Sequence, residues 1–353
     1  MAANVSMRAL LRKNGSADKI HERGGWTQRV ETIQFLISQE NVKVQAINPF
    51  AWSLLAVCIT AGILMSVCAR ATENGASVYP VGAETVLQGM MPPPKTTGLF
   101  TFHTVYTANE LDNSAGQSAV SEFKVRVFAN AAKFERNWGI PVLGGMLEST
   151  VGIPFVYQEL HVAPGQYDKF GLGNVLFAPL GVAYNKGNWH WFYQGDMFFP
   201  GAPYTSGDAF NIGQHNFAAG PVGAFTYLAP KAAWDISSKV DYIVNFQDGV
   251  TKYRGGNELT WEYTAMKAVS KKASMGINGY LYKQTTDDQL NGTTVAGGNR
   301  GRDLAIGPQA RVFFGKHSAL ALKYYRDTLV ENKPRGNAFW FQLGVPLNLG
   351  KRK

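Results

Sequence analysis

The sequence is nearly free of cysteine. Its two cysteines, Cys58 and Cys68, fall in or beside its one long apolar run, Pro49 to Val67 (PFAWSLLAVCITAGILMSV). From Thr72 onward there are none, which excludes disulfide staples, thiolate metal sites and a cysteine nucleophile from that part. It also suits a chain that passes through an oxidising compartment. Charge is sparse, at 17%. Over residues 72–353 there are 26 Lys/Arg against 21 Asp/Glu, the rest of the net +9 lying in residues 1–71. No basic stripe is interleaved with aromatics, so nucleic acid is not an expected partner.

Recognisable chemistry is also scarce. Asp287, Asp288, Glu110, Asp112 and Asp208 fall in expected loops without the ligand spacing of a calcium loop and read as solvated acids. The Gly-rich run Ala296 to Gly301 lacks the strand-to-helix context of a phosphate loop. No metal site and no cofactor is expected. A lipid-hydrolysing barrel would need Ser and His aligned on its outer wall with an Asn or Asp orienting the imidazole. Of His103, His161, His190, His215 and His317, only His317 adjoins a serine, Ser318. Consecutive strand residues point to opposite faces, so that pair does not meet. The reading is therefore not an enzyme.

The chain does contain an export signal. The apolar run is followed by Ala69-Arg70-Ala71, a small-x-small cleavage pattern with Ala69 and Ala71 at the recognised positions, and then by polar Thr72-Glu73-Asn74-Gly75. A membrane anchor is the alternative, disfavoured because no basic stop-transfer flank follows. Residues 1–71 are read as leader and signal peptide. The 48 residues before the run are read as a mis-called start, or else as part of an extended signal. Lipidation of Cys68 fits poorly, since Val67 is not small.

Beyond Gly98 the sequence alternates. Trp234, Ile236, Val240, Tyr242, Val244 and Phe246 share one face, while Asp235, Ser237, Lys239, Asp241 and Asn245 share the other. Only Ser238 and Ile243 break the pattern. Glu258 to Thr264 repeats it, with Leu259, Trp261 and Tyr263 opposite Glu258 and Glu262. Segments of about ten residues, aromatics at segment ends (Trp189, Phe198, Phe199, Trp234, Phe246, Phe339, Trp340) and the export signal favour membrane-spanning strands over a soluble sandwich.

The expected fold is all-β: a transmembrane antiparallel up-and-down β-barrel of about 12 strands over residues 98–349. The strands lie near 98–107, 121–137, 145–162, 170–185, 188–200, 216–229, 231–247, 257–269, 272–286, 303–315, 317–328 and 337–349. Connections alternate in length. Lys-bearing turns at 186, 231, 271–272 and 316 are expected to be periplasmic. Loops at 107–120, 163–169, 201–215, 248–256, 287–302 and 329–336 are expected to be extracellular. The connection 139–144 is too long for its class. Pro154, Pro221, Pro308 and Pro346 should mark bulges, because proline lacks a ladder donor.

The polar faces make Lys124, Arg126, Asp235, Lys239, Asp241, Glu258, Glu262, Arg311, Lys323 and Gln342 the lumen-lining candidates. Opposed acids and bases across so narrow a barrel leave no wide aqueous pore. The Pro-rich segment 72–97 shows no strand pattern. It is expected either to plug the lumen or to lie as a periplasmic strap.

The opening ENGASVYPVGAETVLQGMMPPPKTTGLFTFHTVYTANELDN, residues 73–113, resembles that of the outer-membrane family of the meta-pathway of phenol degradation. The resemblance rests on Tyr79-Pro80-Val81-Gly82-Ala83-Glu84-Thr85, Gly89, Pro92-Pro93-Pro94 and Tyr106-Thr107-Ala108. This chain departs from the family at Lys95-Thr96-Thr97, and again in ending on Gly350-Lys351-Arg352-Lys353 rather than an aromatic residue. The resemblance implies an outer-membrane channel for passive uptake of small hydrophobic or aromatic compounds, or lipid-like solutes, and assigns no binding residue. The narrow, charge-crossed interior itself favours a small apolar solute captured by loop aromatics such as Tyr204, Phe210 and Tyr253. Expected partners are that solute, outer-membrane lipid and lipopolysaccharide, and the barrel assembly machinery. A structural or adhesive surface barrel is the alternative, and a lipid-modifying enzyme a more distant one.

Overall fold

In the computed structural model, residues 77–201, 205, 208, 210–314 and 318–347 are described. All lie in the unit Ala69–Lys353. The expected cleavage residues Ala69 and Ala71, the leader, and the turn at 316 lie outside the described residues.

Twelve antiparallel strands form the wall: β1 (Thr97–Leu111), β2 (Lys124–Val142), β3 (Gly145–Val162), β4 (Gly165–Leu172 continued by Val175–Lys186), β5 (Trp189–Phe199), β6 (Ala218–Ala229), β7 (Trp234–Asn245), β8 (Glu258–Ala268), β9 (Ala273–Gln284), β10 (Arg302–Phe314), β11 (Ser318–Glu331) and β12 (Pro334–Leu347). Each pairs with its chain neighbours, and β1 pairs with β12 over Thr97↔Leu347 to Leu111↔Pro334, closing the barrel. Closure leaves no sheet edge, which a strand protein needs in hydrocarbon, where no water can satisfy the backbone.

The period-two pattern explains the two surfaces. Outward positions carry Phe155, Phe177, Tyr193, Ile236, Val240, Trp261, Ile277, Phe339 and Phe341, all exposed. Inward positions of β7 carry Asp235, Ser237, Lys239, Asp241 and Asn245, all buried. Both breaks in the β7 pattern have a cause. Outward Ser238 accepts the Trp261 indole N–H at 2.9 Å, and inward Ile243 packs in an apolar cluster with Val78, Tyr79 and Phe198. Phe198 and Trp340 are buried inner-face residues and not part of an outer aromatic girdle.

The connections differ from expectation in three places. At 139–144, β2 runs on to Val142. A register shift between Asn137 and Pro141 absorbs the extra length. Leu143 and Gly144, both at positive φ (50° and 80°), make a two-residue turn of the kind that matches strand twist. The loops expected at 163–169 and 329–336 are instead tight hairpins. β3 pairs with β4 out to Val162↔Gly165, and only Asn332 and Lys333 separate β11 from β12. Pro154, Pro221 and Pro308 each coincide with a gap in one ladder: β3–β4, β6–β7 and β10–β11. Pro346, in contrast, pairs in register with Gly98.

Candidate functional site: an occupied lumen

The lumen is not open. Residues 77–96 run through it, from Ser77 at the long-loop end to Thr96 at the tight-turn end. At the upper limit, the Ser77 hydroxyl donates to Glu258, which also accepts from Asn245 Nδ2 at 2.8 Å. At the lower limit, Asn137 Nδ2 donates to Pro92 O at 2.9 Å, and Asn137 N–H to Thr96 O at 3.0 Å.

Between these ends the segment is held by charge. Glu84 accepts from Lys133 of β2 at 2.5 Å and from Lys239 of β7 at 3.0 Å, bridging opposite walls. Lys133 also binds Glu135 at 2.7 Å, and Lys239 binds Asp241 at 2.9 Å and the Tyr79 hydroxyl at 3.1 Å. The Gly82 N–H donates to Glu262 at 2.5 Å. Lys323 donates to the carbonyls of Gly82 and Ala83 at 3.0 and 2.6 Å, and to Gln342 Oε1 at 3.2 Å. The Tyr325 hydroxyl donates to Gly82 O at 2.9 Å. Gly82 sits at φ 88° with Tyr280 beside it. Any side chain there would be strained and crowded, which explains glycine at that point. Thr85 donates to Gln309 at 3.1 Å, and Gly89 N–H to Thr226 at 2.9 Å.

Apolar contacts alternate with these bonds. Val78 and Tyr79 join Leu176, Phe198 and Ile243; Ala83 joins Phe102, Tyr280 and Trp340; Met91 lies against Phe192 and Val222. The segment therefore occupies the lumen with both polar and apolar surface, matched strand by strand.

Eight candidates from the sequence lie buried on the inner face: Asp235, Lys239, Asp241, Glu258, Glu262, Arg311, Lys323 and Gln342. Six of them, Lys239, Asp241, Glu258, Glu262, Lys323 and Gln342, gather around the inserted segment or its partners. Asp235 and Arg311 pair with one another across the lower wall at 2.5 Å. Lys124 and Arg126 require correction. Both are exposed on the outer face, Arg126 in a solvated pair with Glu159. Outward Phe128, Phe134 and Trp138 set the phase of β2, which turns Val125, Lys133, Glu135 and Asn137 inward. That even-numbered aromatic series was the signal for Lys133 and Glu135. Glu84, Glu148 and Asp196 were missed as well: Glu84 lies in a segment without periodicity, whereas Glu148 shares the buried face of β3 with Thr150 and Gly152, and Asp196 that of β5 with Phe192 and Phe198, so period two was the signal for both.

Asp112 and Asp288 are not solvated loop acids but buried ones. Asp112 pairs with Arg335. Asp288 accepts from the Tyr253 hydroxyl, from Gly256 N–H at 2.8 Å and from Gln284 at 2.7 Å. Tyr253 is thus committed to holding loops together. Phe210 is buried, and Tyr204 is outside the described residues. His103 has partners its sequence neighbours did not reveal. On the outer wall its Nδ1 lies 2.6 Å from Asn130 Oδ1 and its Nε2 lies 3.3 Å from Thr101 Oγ1. Among the described residues, no group of three or more His, Cys, Asp or Glu side chains is placed to hold a metal.

Two cavities remain beside the segment. One, about 210 Å³, lies between Val78–Glu84 and the inner face of β1–β4, against Phe102, Ala129, Ala131, Pro154, Leu176 and Trp340. The other, about 230 Å³, lies toward the loops, against Tyr79, Tyr106, Phe210, Tyr282, Asp303 and Lys333. The first is apolar apart from Glu84, Lys133 and a few amides. Most inner-face charges lie on β7–β11; on β1–β4, Lys133, Glu135 and Glu148 stand among small and apolar residues.

The crystal structure of the COG4313 outer membrane channel from Pseudomonas putida F1 has this fold. It is 18% identical, with a TM-score of 0.63 over 77% of this chain and 100% of that one. The β domain of the Bordetella autotransporter BrkA is 11% identical, with a TM-score of 0.42 over 72% and 100%. The translocator domain of NalP from Neisseria meningitidis is 10% identical, with a TM-score of 0.38 over 73% and 90%. No curated protein matches the sequence. The architecture is that of an outer-membrane β-barrel. The family described as "Putative MetA-pathway of phenol degradation" matches residues 108–343, and the chain belongs to that family.

Proposed function

We propose that the protein is an outer-membrane channel for small apolar or aromatic solutes, closed at rest by residues 77–96. The observation that carries this reading is the unequal lumen. A solute entering from the loop end meets an aromatic vestibule at Tyr106, Phe210 and Tyr282. It then reaches the apolar cavity between the inserted segment and β1–β4. Ion pairs on β7–β10, together with the Lys133–Glu84 and Lys133–Glu135 pairs at the cavity's edge, leave no wide aqueous route for bulk ions. A cavity of about 210 Å³ falls below the ~300–1,000 Å³ of pockets for drug-sized ligands, so the solute is small. Passage requires the segment to shift, since its side chains form one wall of the cavity.

The test is growth of a deletion strain on a panel of aromatic and long-chain lipid carbon sources, with uptake of the labelled compound followed in parallel. Slower growth and uptake on one class, restored by the intact gene, supports the reading. Equal growth and uptake across the whole panel counts against it.

A further inference from the structure

Glu148 is a buried acid with no partner. It lies on the inner face of β3, fully buried, and neither carboxylate oxygen has a hydrogen bond. Two more unpartnered oxygens lie near it. Thr150, two residues along the same face and 1% exposed, has a free hydroxyl oxygen. Gln194 of β5 has a free amide oxygen. The Gln194 orientation is dictated by chemistry: its Nε2 lies 2.5 Å from the Asp196 carboxylate and must donate there, which leaves Oε1 as the free, buried acceptor.

The ladders bring these groups together. Glu148 is in register with Gly181 of β4, and Gly181 with Gln194. A Cβ at Gly181 would stand 2.9 Å from Gln194 Cβ and 3.5 Å from its Oε1, so the amide oxygen lies over the glycine, toward β3. On the other side Glu148 pairs with Asn137, and Glu135 is the next inward residue along β2. The one nearby ammonium, Lys133, is already bound to Glu135 and Glu84. The oxygens of Glu148, Thr150 and Gln194 thus have no cation among them, and of these only the Thr150 hydroxyl can also donate. Burying such a carboxylate is costly unless a positive charge meets it.

We propose that Glu148, Thr150 and Gln194 form a binding site for a hard cation, with Ca²⁺ as the best match. The donors are all oxygen, one of them a carboxylate able to bind through both atoms. Calcium accepts irregular oxygen sets of this kind, completed by water, more readily than magnesium. Gly181 leaves room for the Gln194 side chain, because a Cβ there would stand 2.9 Å from Gln194 Cβ and displace it. This site is separate from the solute cavity and does not depend on the transport reading.

The experiment is calorimetric titration of the metal-stripped, detergent-solubilised barrel with CaCl₂ near neutral pH. Thermal unfolding is followed with and without the ion. Wild type should bind Ca²⁺ and unfold at higher temperature in its presence. Glu148→Gln, checked for folding by heat-modifiable gel mobility, should weaken binding by roughly tenfold or more. Thr150→Val, which keeps the volume and removes one oxygen, should weaken it less. Absence of Ca²⁺ binding in wild type, or equal affinity in wild type and Glu148→Gln, overturns the proposal. A carboxyl that is merely protonated gives the first of those results.

Discussion

Replacing Glu84 with glutamine is the sharpest single perturbation of the inserted segment. The carboxylate joins Lys133 and Lys239, on opposite walls, at 2.5 and 3.0 Å. Both lysines keep another acid, Glu135 and Asp241 respectively, so neither is left as an orphan charge and the barrel should still fold. What changes is the acceptor set: the carboxylate gives one oxygen to each lysine, whereas an amide has a single oxygen, so one ammonium bond is lost. A hydrogen bond to a charged group contributes about 1.5–3 kcal/mol. Losing one of the two therefore weakens docking by about 2 kcal/mol. At 1.4 kcal/mol per factor of ten, the undocked population rises roughly 30-fold. Amide hydrogen exchange of residues 78–92 in detergent micelles reads this directly. Exchange there should accelerate by about that factor while the strand amides of β7–β11 stay slow. Unchanged exchange in the segment, or equal acceleration through the whole barrel, would refute the view that Glu84 holds the segment in the lumen.

Further outcomes follow from the same geometry. Asp241→Ala and Glu262→Ala, which remove partners of Lys239 and of Gly82 N–H, should change single-channel conductance or ion selectivity in planar bilayers. Asp235→Ala leaves Arg311 buried without its acid and should lower stability by about 3–5 kcal/mol in chemical unfolding, without loosening the segment. Arg126→Ala, on the outer face, should change stability by less than about 1 kcal/mol. Asp288 titrates at about 6, raised by burial although Tyr253, Gly256 and Gln284 donate to it. Its proton is held more tightly folded than unfolded, so its contribution to loop stability grows as pH falls from about 6 toward 4 and is absent above. Exchange in 246–257 and 285–301, corrected for intrinsic rates, should show this slope in wild type and lose it in Asp288→Asn.

The barrel was legible in the sequence because hydrocarbon on one side and packed polar groups on the other impose strict alternation. All twelve strands lie where that alternation placed them. Legibility failed where the constraint lapses. Beyond the membrane, Gln166, Asp168, Lys169 and Glu331 are strand residues with no apolar face to betray them, so two hairpins read as loops. Lys124 and Arg126 misled for the same reason. At the outer end of β2, a charge does not imply the lumen, and only the aromatic phase further along the strand does. The sequence of the inserted segment fits a plug and a strap equally. Its contacts are one-off matches, such as Glu84 to two lysines or Gly82 to Glu262, and no periodicity encodes them. Glu148 alternates regularly with Thr150 and Gly152 on the buried face of β3, but the extra residue in β4 that decides what stands opposite it is not located by sequence.

The central question is whether residues 77–96 close the barrel. Single-channel recording of a variant lacking residues 74–94 decides it, with heat-modifiable mobility confirming that the wall has assembled. Removal of the bonds to Glu262, Lys323, Lys239 and Lys133 should leave an open lumen and raise conductance well above that of the intact protein. Conductance equal to the intact protein's, from a folded barrel, would contradict the central claim.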